Sequence, residues 1–393
     1  MPLTIVQRKA TFGYFSAFVM LGATTAVLGP TLTDLAEQTG ATLAQISVLF
    51  TAKSAGYLVG SLLGGWLYDR LKPHRVMSLA LVGMALTLAL SPALPLLWLL
   101  AACLLLLGLA EGSVDVGGNA LLVWTHGSQV GPFMNALHAF FGIGTFLAPI
   151  LIAQALLYTG GIAAGYRWLA VLLMPIALWV WMAPSPAAPG KKAGAVEQIN
   201  TGREHAILIF LVASFLFLYV GAEISFGSWI ATYVLRLELA DKAGASYLTS
   251  VFWGAFTVGR LVGIPLAARL RPRLLIMGEL SGCLLSLTLI LIWPTVLAVI
   301  WISALGLGFS MASIFPTTIT LAERRMTLTG STTSWFFVGG SLGSMFLPWV
   351  IGQFFASLGP QAMAWLILAD LLLAVLVFNV LIRFSHPKPQ LAG

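Results

Sequence analysis

Residues 64–75 read GGWLYDRLKPHR, and residues 259–273 read GRLVGIPLAARLRPR. Each is a small-residue, apolar run that closes on a basic cluster and a proline. At an offset of 199 they fall into register: Gly60 meets Gly259, Gly64 meets Gly263, Arg70 meets Arg269 and Pro73 meets Pro272. Moving outward, the same offset pairs Gly22 with Gly221, Gly131 with Gly330, Gly144 with Gly343, and Pro149 with Pro348. One register held across four pairs of segments marks a duplication. The chain is two similar halves.

Both halves are written for lipid. Of the 393 residues, 59% are hydrophobic and only 8% are charged, against about 25% charged in a soluble domain. The formal charge of +7 does not indicate nucleic acid, because the basic residues sit in short clusters between apolar runs. Cys103 and Cys283 lie within such runs and read as small buried hydrophobes, not as a disulfide or metal site. Runs of the roughly 20 apolar residues that a membrane helix needs occur near 11–36, 44–68, 74–93, 96–124, 132–158 and 166–183, then near 204–235, 244–269, 273–293, 295–322, 328–356 and 361–384. The first run has no small-residue cleavage site after it and reads as a span, not a signal peptide. The expected fold is therefore all-α and integral to the membrane: twelve helices in two pseudo-symmetric bundles. Residues 1–184 form the first bundle and 204–393 the second. A Pro-, Gly- and Ala-rich linker at 185–203 joins them.

Twelve spans put both termini on one side. That side carries fifteen of the twenty Lys and Arg residues: Arg8, Lys9, Arg70, Lys72, Arg75, Lys191, Lys192, Arg203, Arg269, Arg271, Arg273, Arg324, Arg325, Arg383 and Lys388. The other side carries Arg167, Arg236 and Lys242, while Lys53 and Arg260 fall inside spans. This bias puts both termini in the cytoplasm. The expected location is the plasma membrane, the inner membrane of a bacterial cell. Parallel repeats of this kind bind their solute near mid-membrane at the repeat interface and work by alternating access.

The loop GGWLYDRLKPHR resembles the signature loop of the major facilitator superfamily, in which an Asp and a set of basic residues form a cytoplasmic charge latch. The resemblance assigns that role here to Asp69, Arg70, Lys72 and Arg75. The second-half copy keeps its glycines and basic residues but has Ala268 where Asp69 stands. The runs EGSVDVGGNALL (111–122), GPFMNALHAFFGIGTFLAP (131–149) and GAEISFGSWIATY (221–233) are similar to the fucose–proton symporter family, most of all its sodium-dependent glucose transporter-like branch. The resemblance implies uptake of a sugar, a hexose such as glucose or fucose, coupled to an inward proton or sodium gradient.

Ionisable groups inside a membrane mark a pair, a wet cavity or a function. Glu111 and Asp115 are four residues apart and share one helix face. Either can serve as the cation-coupling acid, or be held in a structural pair with Lys53 or another base. Asn119, a further four residues on, can bond a hydroxyl. Asn135 and His138 share a face of the fifth span, where His138 can meet a sugar hydroxyl or simply pack. Glu223 and Trp229 on the seventh span are the second substrate-binding set; Trp229 can instead anchor at the membrane interface. Lys53 and Arg260 are candidates for gating or for pairing an acid. Asp34 reads as a surface acid, and Glu279 and Asp370 as structural. Gly29-Pro30 and Phe315-Pro316 should bend their helices.

The competing reading is a proton-coupled drug or metabolite exporter. Such antiporters usually carry a Gly-Pro-centred motif on the fifth span, but here Ala148 precedes Pro149. No metal-ligand cluster, nucleophile elbow or phosphate loop is present. No enzyme, cofactor or nucleic-acid partner is expected, and ATP is not the energy source within this chain. The expected partners are lipid and a small-molecule substrate, with the chain acting as a monomer.

Overall fold

The computed structural model describes residues 4–186, 203–326 and 330–384. Lys191 and Lys192 of the expected linker, with most of that linker, and Lys388 lie outside the described residues.

Among the described residues the long helices follow the apolar runs. The helices are α1 (Ile5–Ala26), α2 (Leu28–Thr39), α3 (Leu43–Ile46), α4 (Val48–Arg70), α5 (Pro73–Leu90), α6 (Leu97–His126), α7 (Gly131–Thr159) and α8 (Ala163–Met182). The second half adds α9 (Arg203–Arg236), α10 (Lys242–Arg269), α11 (Pro272–Ile292), α12 (Leu297–Met311), α13 (Ile314–Glu323), α14 (Gly330–Phe355) and α15 (Ala362–Phe384). Eleven stretches are long and apolar enough to cross a membrane, and the bent pair α1–α2 makes a twelfth. Large apolar side chains face outward, among them Leu62, Leu63 and Trp66 on α4 and Leu79 and Leu86 on α5. That surface suits acyl chains and would be insoluble in water.

One expected bend is present, and the second expected site shows a break in the helix; the cause of each is local. α1 and α2 meet at Val27 with a 50° change of direction. Pro30 has no N–H to offer the Ala26 carbonyl four residues back, and its ring crowds that carbonyl. Pro316 stands in the same relation to Ala312, where α12 gives way to α13.

Contacts divide the chain into two compact units: the described residues of Met1–Ala193 with Gly227–Gly254, and those of Gly194–Phe226 with Ala255–Gly393. In the first unit the Gly227–Gly254 segment is held by specific contacts. Gln154 donates to the Tyr247 hydroxyl (2.6 Å), Ser250 donates to the Phe146 carbonyl (2.6 Å), and Lys242 bridges Asp34 (2.8 Å) and Glu37 (3.2 Å). Asp34 is thus an ion-pair partner and is largely covered, with a side chain 14% exposed.

The contact that positions the candidate site is α4 on α6. A Cβ on Gly56 or Gly60 would strike the carbonyls of Leu105 and Leu109, and one on Gly108 or Gly112 those of Lys53 and Tyr57. Only residues without side chains allow two backbones this close. The contact numbers rise together along both helices, so α4 and α6 run in the same direction. α1 meets α7 in the same way, with Gly22 on Phe141 and Gly144 on Val19. In the second unit Gly343 rests on the Phe217 carbonyl and Gly259 on that of Phe309. The repeated pairs Gly60/Gly259 and Gly144/Gly343 therefore recur as backbone contacts within each unit.

Candidate functional site

Parallel direction has a consequence for side chains. Residues four apart on one helix sit one above the other on a single face, so such a pair on α4 can face such a pair on α6 turn for turn. Lys53 and Tyr57 are the pair on α4; Glu111 and Asp115 are the pair on α6.

On the first level, Lys53 Nζ lies 3.1 Å from Glu111 Oε1 and donates to the Thr24 carbonyl at 2.7 Å. The side chains of Lys53 and Glu111 are 12% and 3% exposed. Thr24 belongs to the last turn of α1, where carbonyls run short of intrahelical donors; the end of α1 therefore supplies a ligand. The Lys53–Glu111 approach is a close, almost fully buried ion pair.

On the second level, the Tyr57 hydroxyl donates to Asp115 Oδ2. Asn119 Nδ2 donates to Asp115 Oδ1 at 3.0 Å and to the Asp115 carbonyl at 2.9 Å. Among the described residues no Lys, Arg or His forms an ion pair with Asp115. The two acids thus differ in kind: Glu111 faces a fixed ammonium, whereas Asp115 is held by neutral donors alone.

His138 on α7 meets the Phe18 ring edge-on at 6.0 Å, and Asn135, one turn earlier, is exposed. Trp229 is fully buried (0% exposed) against the Phe50 ring, 6.0 Å away. Full burial argues against an interfacial anchor. In the second unit Glu223 is buried, with the Arg260 guanidinium and the Tyr219 hydroxyl within electrostatic reach. Arg260 also lies over the Phe256 ring at 4.6 Å. At the α4–α5 junction Asp69, Arg70, Lys72 and Arg75 are all exposed. Arg70 stacks on Trp66 (4.4 Å) and Arg75 on Trp181 (5.3 Å), and among the described residues Asp69 makes no ion pair. Glu279 and Asp370 each keep one buried carboxylate oxygen without a hydrogen bond.

Sequence reasoning did not single out Tyr57 or the Thr24 carbonyl. A usable signal was present for Tyr57: it stands four residues beyond Lys53, as Asp115 stands four beyond Glu111, on two glycine-spaced helices.

The profile described as Major Facilitator Superfamily matches residues 14–348. Sodium-dependent glucose transporter 1 of Xenopus laevis is 31% identical over 353 residues, covering 83% of this chain and 72% of the relative. Sodium-dependent glucose transporter 1A of Mus musculus is 29% identical over 372 residues, covering 86% and 88%. The crystal structure of the D-xylose-proton symporter superposes with a TM-score of 0.78 at 12% identity, over 97% of this chain and 98% of that one, which shows a shared fold. Twelve spans, a duplicated sequence and these matches lead to one assignment: the chain belongs to the Major Facilitator Superfamily, in the branch of the sodium-dependent glucose transporter 1 relatives, and is an integral membrane transporter of small solutes, not an enzyme.

Proposed function

We propose that the protein is a sugar–cation symporter in which Asp115 takes the coupling cation. The observation that carries this reading is the Asp115 carboxylate, set in a membrane-spanning helix with neutral donors and no fixed countercharge among the described residues. A charge in that position is costly unless something neutralises it. A cation arriving from outside does so, and the energy of its gradient becomes available to the solute. Sodium is the first ion to test, because the relatives at about 30% identity are named sodium-dependent; a proton is the other. Their names also make a hexose the first solute to test. Asn119 and His138 supply groups suited to sugar hydroxyls. Glu223 in the second unit is a separate candidate for a solute hydroxyl, and Trp229 in the first is a candidate ring for a sugar face. The basic bias of the loops supports cytoplasmic termini in a plasma membrane.

For coupling, cation and solute must both favour the same conformation, since a ligand shifts an equilibrium only by its differential affinity. The test is uptake into proteoliposomes from a sugar panel under imposed sodium or proton gradients. Asp115→Asn should abolish uphill accumulation and retain solute counterflow. Normal accumulation by Asp115→Asn would sink the assignment.

A further inference from the structure

The Lys53 ammonium lies between oxygen atoms of two helices. Its two oxygen neighbours are the Glu111 carboxylate (3.1 Å) and the Thr24 carbonyl (2.7 Å), both hard donors from different helices. The carboxylate contact is an ion pair, and a metal cation, which needs no donor directions, can take the same two oxygens. The site is almost closed, and Asp115 lies one turn along α6.

We propose that the Glu111 carboxylate and the Thr24 carbonyl form a second monovalent-cation site, which the chain fills permanently with its own Lys53 ammonium. Lys53 is then the residue that sets stoichiometry. In the intact protein Lys53 cancels Glu111, and one external cation cancels Asp115, so the loaded α4–α6 stripe is neutral with a single ion. Without Lys53 the same stripe carries two negative charges and reaches neutrality only with two ions. The predicted count of one ion in the intact protein rests on the Asp115 reading; the second site itself does not.

The test is equilibrium binding of radiolabelled sodium to the purified full-length chain, which requires no knowledge of the solute. Lys53→Met should bind one more sodium per chain than the intact protein. Lys53→Met combined with Glu111→Gln should lose that gain. Comparing Asp115→Asn with the Lys53→Met/Asp115→Asn pair isolates the second site: the pair should bind one sodium where the single variant binds none. A folded pair with no gain overturns the proposal. Failure of sodium coupling at Asp115 is seen separately, as equal sodium binding by the intact protein and Asp115→Asn; failure of the Asp115 reading itself is normal uphill accumulation by Asp115→Asn under either gradient. If Lys53→Met is unstable in choline chloride, its melting temperature should recover in sodium chloride. Lack of recovery also overturns the proposal, and the Lys53→Met/Glu111→Gln variant should show no difference between the two salts.

Discussion

Tyr57 and Asn119 each take one oxygen of the Asp115 carboxylate. A hydrogen bond to a charged group contributes about 1.5–3 kcal/mol, so the Tyr57 hydroxyl stabilises the ion-free carboxylate and competes with an arriving cation. Tyr57→Phe should therefore tighten half-saturation by the coupling cation about tenfold, corresponding to about 1.4 kcal/mol, and slow turnover by delaying release. Uptake kinetics against cation concentration check this; unchanged half-saturation would mean that the hydroxyl stays bonded throughout. The acids and Asn119 were legible in the sequence because their spacing of four lies within one helix. Tyr57 and Thr24 were not, because their partners depend on the register between helices distant in sequence. Nothing local to a tyrosine reveals that register.

At the scale of elements, the α4–α6 contact is set by glycine. Gly60→Ala would place a Cβ against the Leu109 backbone, and overpacking of this kind costs about 1–3 kcal/mol. It should lower the melting temperature in detergent and weaken coupling by spreading the Lys53–Glu111 and Tyr57–Asp115 levels. Gly65→Ala on the same helix meets only Val116, at 3.9 Å, and should leave both unchanged. An equal effect at the two positions would refute the close-contact account. Span positions and the two proline breaks were legible because hydropathy and the missing proline N–H act along the chain. The division of labour between Glu111 and Asp115 was not, since two carboxylates are told apart only by whether the neighbouring helix presents an ammonium or a neutral hydroxyl.

For the whole molecule, the basic-residue bias predicts sidedness. A membrane-impermeant thiol reagent should label Gly161→Cys in intact cells and Ser185→Cys only after permeabilisation; the native Cys103 and Cys283 are buried and should remain silent. The reverse pattern would invert the topology. The duplication was legible because glycines at helix crossings hold their places at one offset. The gathering of Gly227–Gly254 with the first unit was not, since an offset relates a residue to its counterpart and not to its neighbours.

The touching backbones of α4 and α6 also limit how the protein can move. Four glycines interlocked with facing carbonyls allow neither helix to slip along the other by a fraction of a turn, because each would ride up on the next peptide group. The pair travels as a single strut. Whatever rearrangement carries a solute across is then expected to hinge elsewhere, with the backbones that bear Lys53, Tyr57, Glu111 and Asp115 moving together.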